Sequence, residues 1–138
     1  MRFFTPLALL PFAALAASVT FNGVRDTACQ RWDGSYAPVS TAQLEKYILE
    51  GYPSAKLQGD SDRQWSGIQK SKICPPNSDN QYAWIRIPEW TEGAPEKVAQ
   101  QSGSLAVIYY KETDTYNVCT YLASIQHNIP YAGFCKAV

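Results

Sequence analysis

Apolar and polar residues divide this chain into a leader, one helical stretch and a series of alternating runs. The leader is the apolar run Phe3 to Leu15, preceded by Arg2 and followed by the small residues Ala16, Ala17 and Ser18. A charged start, a short apolar centre and a small-residue exit predict a secretory signal peptide over residues 1–17. That leaves one domain over 18–138. Nothing downstream approaches the roughly 18 uninterrupted apolar residues that suggest a membrane span. The expectation is an exported, soluble chain with no membrane partner.

Helical spacing comes next, because Leu44, Tyr47 and Ile48 fall on one side of a 3.6-residue repeat. Ser40 stands where a hydroxyl can accept a free backbone N–H, Gln43 three residues on completes a capping box, and Val39 can staple onto Leu44. Gly51, which tolerates positive φ, and Pro53, which has no N–H, predict the end after about ten residues. The pattern then changes to a period of two. In Tyr82-Ala83-Trp84-Ile85-Arg86-Ile87, alternation sends Ala83, Ile85 and Ile87 to one face and Tyr82, Trp84 and Arg86 to the other. Ser104 to Tyr110 and Tyr116 to Leu122 flank the polar stretch 111–115 and predict a hairpin. Tyr131 to Cys135 reads as a short last strand and Gln64 to Lys70 as a weak early one. One helix followed by an antiparallel sheet is an α+β fold.

Composition sharpens this picture. With 46% hydrophobic and 13% aromatic residues and 17% charged ones, the chain has enough apolar surface to offset its conformational entropy, which excludes disorder. The 12 basic and 12 acidic side chains give no basic surface for nucleic acid, and losing Arg2 with the leader tips the balance to one negative charge. Lys70 and Lys72 read as solvated loop charges, and the aromatics, Trp32, Trp65, Trp84, Trp90, Tyr109 and Tyr110 among them, which could stack on bases, as mostly core.

Four cysteines, at gaps of 45, 45 and 16 residues, lack the close pair typical of zinc sites. Export through an oxidising compartment predicts two disulfides instead. Three pairings are open. The preferred one joins Cys29 to Cys135, tying the two ends together, and leaves Cys74 with Cys119. Closing roughly 100 residues this way would add about 4–5 kcal/mol in the chain-entropy account. Neither a metal nor a cofactor is expected.

Several stretches, taken in order, resemble the secreted fungal guanyl-specific ribonucleases. Val39-Ser40-Thr41-Ala42-Gln43 opens the single helix as in that family, Tyr52-Pro53 follows it, and Tyr82-Ala83-Trp84 stands where the family has an aromatic, acid, tryptophan strand. The run from Ala106 to Tyr121 keeps the family's spacing between its phosphate-binding arginine and its catalytic histidine. The resemblance implies a microbial ribonuclease-like fold, with one helix on a curved antiparallel sheet and two disulfides.

It also implies that the catalytic positions are vacated. Ser54 stands for a histidine, Ala83 for the glutamate base, Ala106 for the arginine and Tyr121 for the acid histidine. Cleavage by the ribose 2′-hydroxyl needs a base, an acid and a cation for the phosphate charge, and losing one such group typically costs about 100-fold or more. Four losses imply a pseudoenzyme. Tyr52 and Tyr121, which the resemblance places in the old cleft, become the candidate ligand contacts.

The chain then resembles the ribonuclease-like effectors that plant-pathogenic fungi, notably powdery mildews, deliver into hosts. Their aromatic-x-Cys motif is replaced here by Thr27-Ala28-Cys29. The function implied is virulence through binding of a host protein or immune receptor, with RNA a weaker partner. Contacts are expected on the loops 59–64, 74–81 and 89–101. Two alternatives stand beside it. One is an active ribonuclease with relocated groups, in which His127 works with Glu89 or Glu92. The other is an unrelated disulfide-stabilised surface protein.

Overall fold

The structure, a computed structural model, describes residues 19–58, 74 and 82–138. The leader, the Gln64 to Lys70 strand, Trp65, Lys70, Lys72 and the loops 59–64 and 75–81 lie outside the described residues.

Three short strands precede the helix: β1 (Thr20–Asn22), β2 (Thr27–Gln30) and β3 (Tyr36–Val39). The helix α1 covers Thr41–Gly51, and Ser40 caps it as its sequence predicts, with the side-chain oxygen accepting from the Gln43 N–H at 3.2 Å. Asp26 reinforces this start, since one carboxylate oxygen accepts from both the N–H and the hydroxyl of Thr41. After α1 come β4 (Tyr82–Arg86), two single helical turns, α2 (Pro88–Thr91) and α3 (Glu96–Ala99), then β5 (Ser104–Tyr110), β6 (Thr115–Leu122) and β7 (Cys135–Ala137).

The strands form two sheets. The larger has the order β1-β6-β5-β4 and the smaller β3-β2-β7. β4, β5 and β6 are antiparallel neighbours, whereas β1 runs parallel to β6. The fold is therefore α+β with one main helix on a mixed sheet, and the expected purely antiparallel sheet is corrected. Parallel pairing requires strands brought together from distant parts of the chain. Here it joins residues 20–22 to 115–117.

Leu44 and Ile48 of α1 bury against the face of the larger sheet that carries Ala83, Ile85, Leu105, Val107 and Val118. The alternation predicted for Tyr82 to Ile87 is thus observed. Trp90 closes one side of this core: it is fully buried, and its indole N–H donates to the Ala37 carbonyl at 2.8 Å, which joins α2 to β3. The turn after α3 passes tightly over α2. Gly103 has φ +72°, and a Cβ there would lie 2.7 Å from Thr91 Cγ2 and 3.2 Å from the Trp90 carbonyl. Only glycine meets both conditions without strain.

A bulge in the hairpin reorders β6. Ala106 pairs with Thr120 and Val107 with Val118, so Cys119 is the extra residue. Val118 and Tyr121, three positions apart, consequently face the same helix-side core, while Cys119 turns to the other side. There it bonds Cys74, beside Tyr82, Ala106 and Ile108. The second disulfide joins Cys29 to Cys135, directly opposed residues of β2 and β7.

Three other expectations are corrected. Gly51 has φ −92° and the chain continues into a 3-10 turn at Tyr52–Ser54, so Gly51 does not end α1 through positive φ. Its missing side chain serves packing instead, because a Cβ would sit 3.3 Å from Ile85 Cγ2. The segment 89–101, expected as a loop, holds most of α2 and all of α3. The last strand lies at Cys135–Ala137 rather than from Tyr131, since 131–133 turn back to bridge Ile125 and Ser124.

Candidate functional site

The four positions that the resemblance singles out, Ser54, Ala83, Ala106 and Tyr121, do not converge. Ala83 pairs with Val107 and Ala106 with Trp84, and paired residues share a face, so Ala83 and Ala106 lie on opposite sides of the larger sheet. Both are fully buried, Ala83 in the helix-side core and Ala106 in the cluster around Cys74. Ser54 is exposed on the 3-10 turn. Tyr121 returns to the helix side through the bulge. A cleft containing all four residues is absent from this arrangement.

Tyr52 and Tyr121 are occupied by the fold. Tyr52 packs edge-on against Tyr116, at 5.5 Å between ring centres, and its hydroxyl accepts from the Tyr109 N–H. The Tyr121 hydroxyl donates to the Gly23 carbonyl at 2.6 Å and accepts from the Arg25 N–H, while the Arg25 guanidinium lies over its ring at 5.1 Å. Burial pushes both phenols up, against the opposing pull of the Tyr109 N–H at Tyr52 and the Arg25 N–H at Tyr121. Both phenols are directed to the protein's own backbone and hold the proton more firmly than a free one.

Each group of the alternative acid-base set meets another side chain. Glu89 accepts from the Tyr47 hydroxyl at 2.8 Å, Glu92 pairs with Arg31 at 3.3 Å, and His127 meets the edge of Trp32. Among the described residues no group of three or more His, Cys, Asp or Glu is placed to hold a metal ion. No described helix is long and apolar enough to cross a membrane.

Concave surface lies elsewhere. A groove of about 520 Å³ opens at the end of the larger sheet where β4, β5 and β6 present Trp84, Ser104 and Leu122. Gln100, Gln101 and Tyr131 also line it. A second groove, of about 540 Å³, lies between the turn after β2 and the loop before β7, lined by Trp32, His127, Ile129 and Phe134 among others. Tyr131 and Ala132 belong to both grooves.

Of these residues, sequence reasoning named Trp32 and Trp84 among aromatics expected mostly in the core, where both are only half-buried, and His127 as a polar loop residue. The expected contact segment 89–101 contains Gln100 and Gln101, whereas Ser104, Tyr131 and Phe134 were missed as groove residues, because segments far apart in the chain build the grooves. The only local signals are the Gln100-Gln101 pair ahead of a positive-φ glycine and two aromatics in the exposed stretch 127–134. Compared with known proteins, the chain matches no family model, no curated protein and no solved structure.

Proposed function

We propose that this chain is an exported binding protein that acts by occupancy and not by turnover, on a scaffold resembling the secreted fungal ribonucleases. In the setting that resemblance implies, it is an effector that engages a host protein or immune receptor during fungal infection of a plant. The scaffold reading draws support from a capped helix ahead of three antiparallel strands and from a disulfide between the first and last parts of the domain.

The reading of binding without turnover rests on the burial of Ala83 and Ala106 on opposite faces of one sheet. Where the resemblance holds, these are the positions of the base and the phosphate clamp, and a buried methyl group can neither take a proton nor meet a phosphate. Where it does not hold, no inherited ribonuclease chemistry is expected at all.

The test is a ribonuclease assay on the oxidised, folded protein with guanosine-containing RNA, read against a mock preparation. No cleavage above the mock is expected. Cleavage that disappears on changing His127→Ala would overturn the proposal and identify a nuclease with rebuilt chemistry.

A further inference from the structure

We infer that the groove at the end of the larger sheet binds an uncharged oligosaccharide, with the chain of sugar rings passing Tyr131 into the second groove. The inference rests on the binding reading above and names the ligand class of one site.

Groove chemistry selects this ligand. Trp84 and Tyr131 supply aromatic surface, and Tyr131 is 70% exposed where the two grooves meet. The C–H faces of a pyranose ring pack on such surfaces. Around them are hydrogen-bonding groups not consumed by the fold. Among the described residues, the Trp84 indole N–H, the Ser104 hydroxyl and the Gln100 and Gln101 amides have no hydrogen-bond partner. Amides and hydroxyls both donate and accept, matching sugar hydroxyls, which do the same. At about 520 Å³ the groove also falls within the usual range for small-ligand sites, about 300–1,000 Å³.

Charge decides against the main competitor. Affinity for RNA comes largely from Lys and Arg neutralising phosphates, and no Lys or Arg is among the described residues lining either groove. The second groove has one carboxylate, Asp33, and it is already engaged by the Ser35 N–H and hydroxyl. Anionic polysaccharides lack a cationic partner for the same reason. A neutral polyhydroxylated chain suits the lining of both grooves.

The experiment is isothermal titration of the oxidised protein with three neutral β-1,4-linked hexasaccharides, of glucose, of xylose and of N-acetylglucosamine. Polygalacturonate and a guanosine-containing RNA oligomer serve as charged comparators. At least one neutral hexamer is expected to bind, with Tyr131→Ala weakening it about tenfold or more, the scale of losing a central aromatic contact. Gln101→Ala should weaken it by a smaller factor. Both side chains are exposed, so circular dichroism should show both variants folded as the parent.

Failure of all three hexamers with folded protein would overturn the inference. So would binding indifferent to both substitutions, or preferred binding of the RNA. RNA bound but uncut would sink this inference and leave the binding reading standing, whereas RNA cleavage in the assay above would sink that reading itself.

Discussion

The two faces of the larger sheet are built on different principles. The helix side is a continuous apolar core in which α1, Trp90 and three strands interlock, with Leu44, Ile48 and Trp90 all fully buried. Among the described residues, the other side has a small cluster around Cys74 and Cys119, and beyond it the groove with its unpaired amides and hydroxyl. One face obtains its stability from shape and area. On the other, a disulfide fastens the described cluster and polar groups line the groove beside it. The proposed binding surface and the helix-side core thus lie on opposite sides of a single layer of backbone.

Trp90→Ala should break the helix side most severely. It removes a fully buried indole and leaves the Ala37 carbonyl without its partner, and large aromatic truncations of this kind typically cost about 3–5 kcal/mol. Chemical denaturation monitored by circular dichroism would measure it. A cost near that of a surface change would mean that the core is not centred on this residue.

Replacing Cys74 and Cys119 together by Ala should cost less, about 2–4 kcal/mol, as is typical for loss of a disulfide. The sharper expectation is where the loss appears. Amide exchange at Leu44 and Ile48 should remain slow under native conditions while the hairpin β5–β6 loses protection around Cys119. Equal loss on both sides would show that the faces act as one cooperative unit and dissolve the comparison.

The smallest effect is at the rim of the helix side. Asp114 accepts the Tyr109 hydroxyl at 2.7 Å, and this bond, assisted by burial and the carboxylate's charge, pushes the phenol up to about 12. A phenol held above its free value contributes stability that is whole below about pH 10 and drains away as the pH climbs through about 12. Tyr109→Phe should therefore narrow the alkaline fall in stability while hardly altering the profile between neutrality and about pH 9. Melting temperatures from neutrality to about pH 12 would reveal it, and parallel alkaline curves for the two proteins would contradict the assignment.

Where a local rule governs the structure, the sequence made it legible. The Ser40 cap, the strand Ser104–Tyr110 and the split of Tyr82 to Ile87 into two faces all depend on neighbours within a few residues. That same alternation already assigns Ala83 to the core, in conflict with reading it as a vacated catalytic site. Matching residues by order alone ignores which face they occupy. The strands before α1 are three or four residues long and carry glycine, aspartate or proline around them, too short to establish a period. The parallel place of β1 depends on partners 95 positions away. The groove is harder still, because Gln58, Trp84, Ser104, Leu122 and Tyr131 meet only after the sheet has formed.

The bond between Cys29 and Cys135 also changes what cleavage can do to the molecule. It makes the chain from 29 to 135 a closed ring. A protease that cuts once anywhere within that ring opens it without releasing a piece, so the nick would be silent on a non-reducing gel and visible on a reducing one. The second chord, from Cys74 to Cys119, divides the ring into lobes, so a second cut must fall in the same uninterrupted arc as the first before a fragment can leave. Surface damage and loss of the molecule thereby become two separate events.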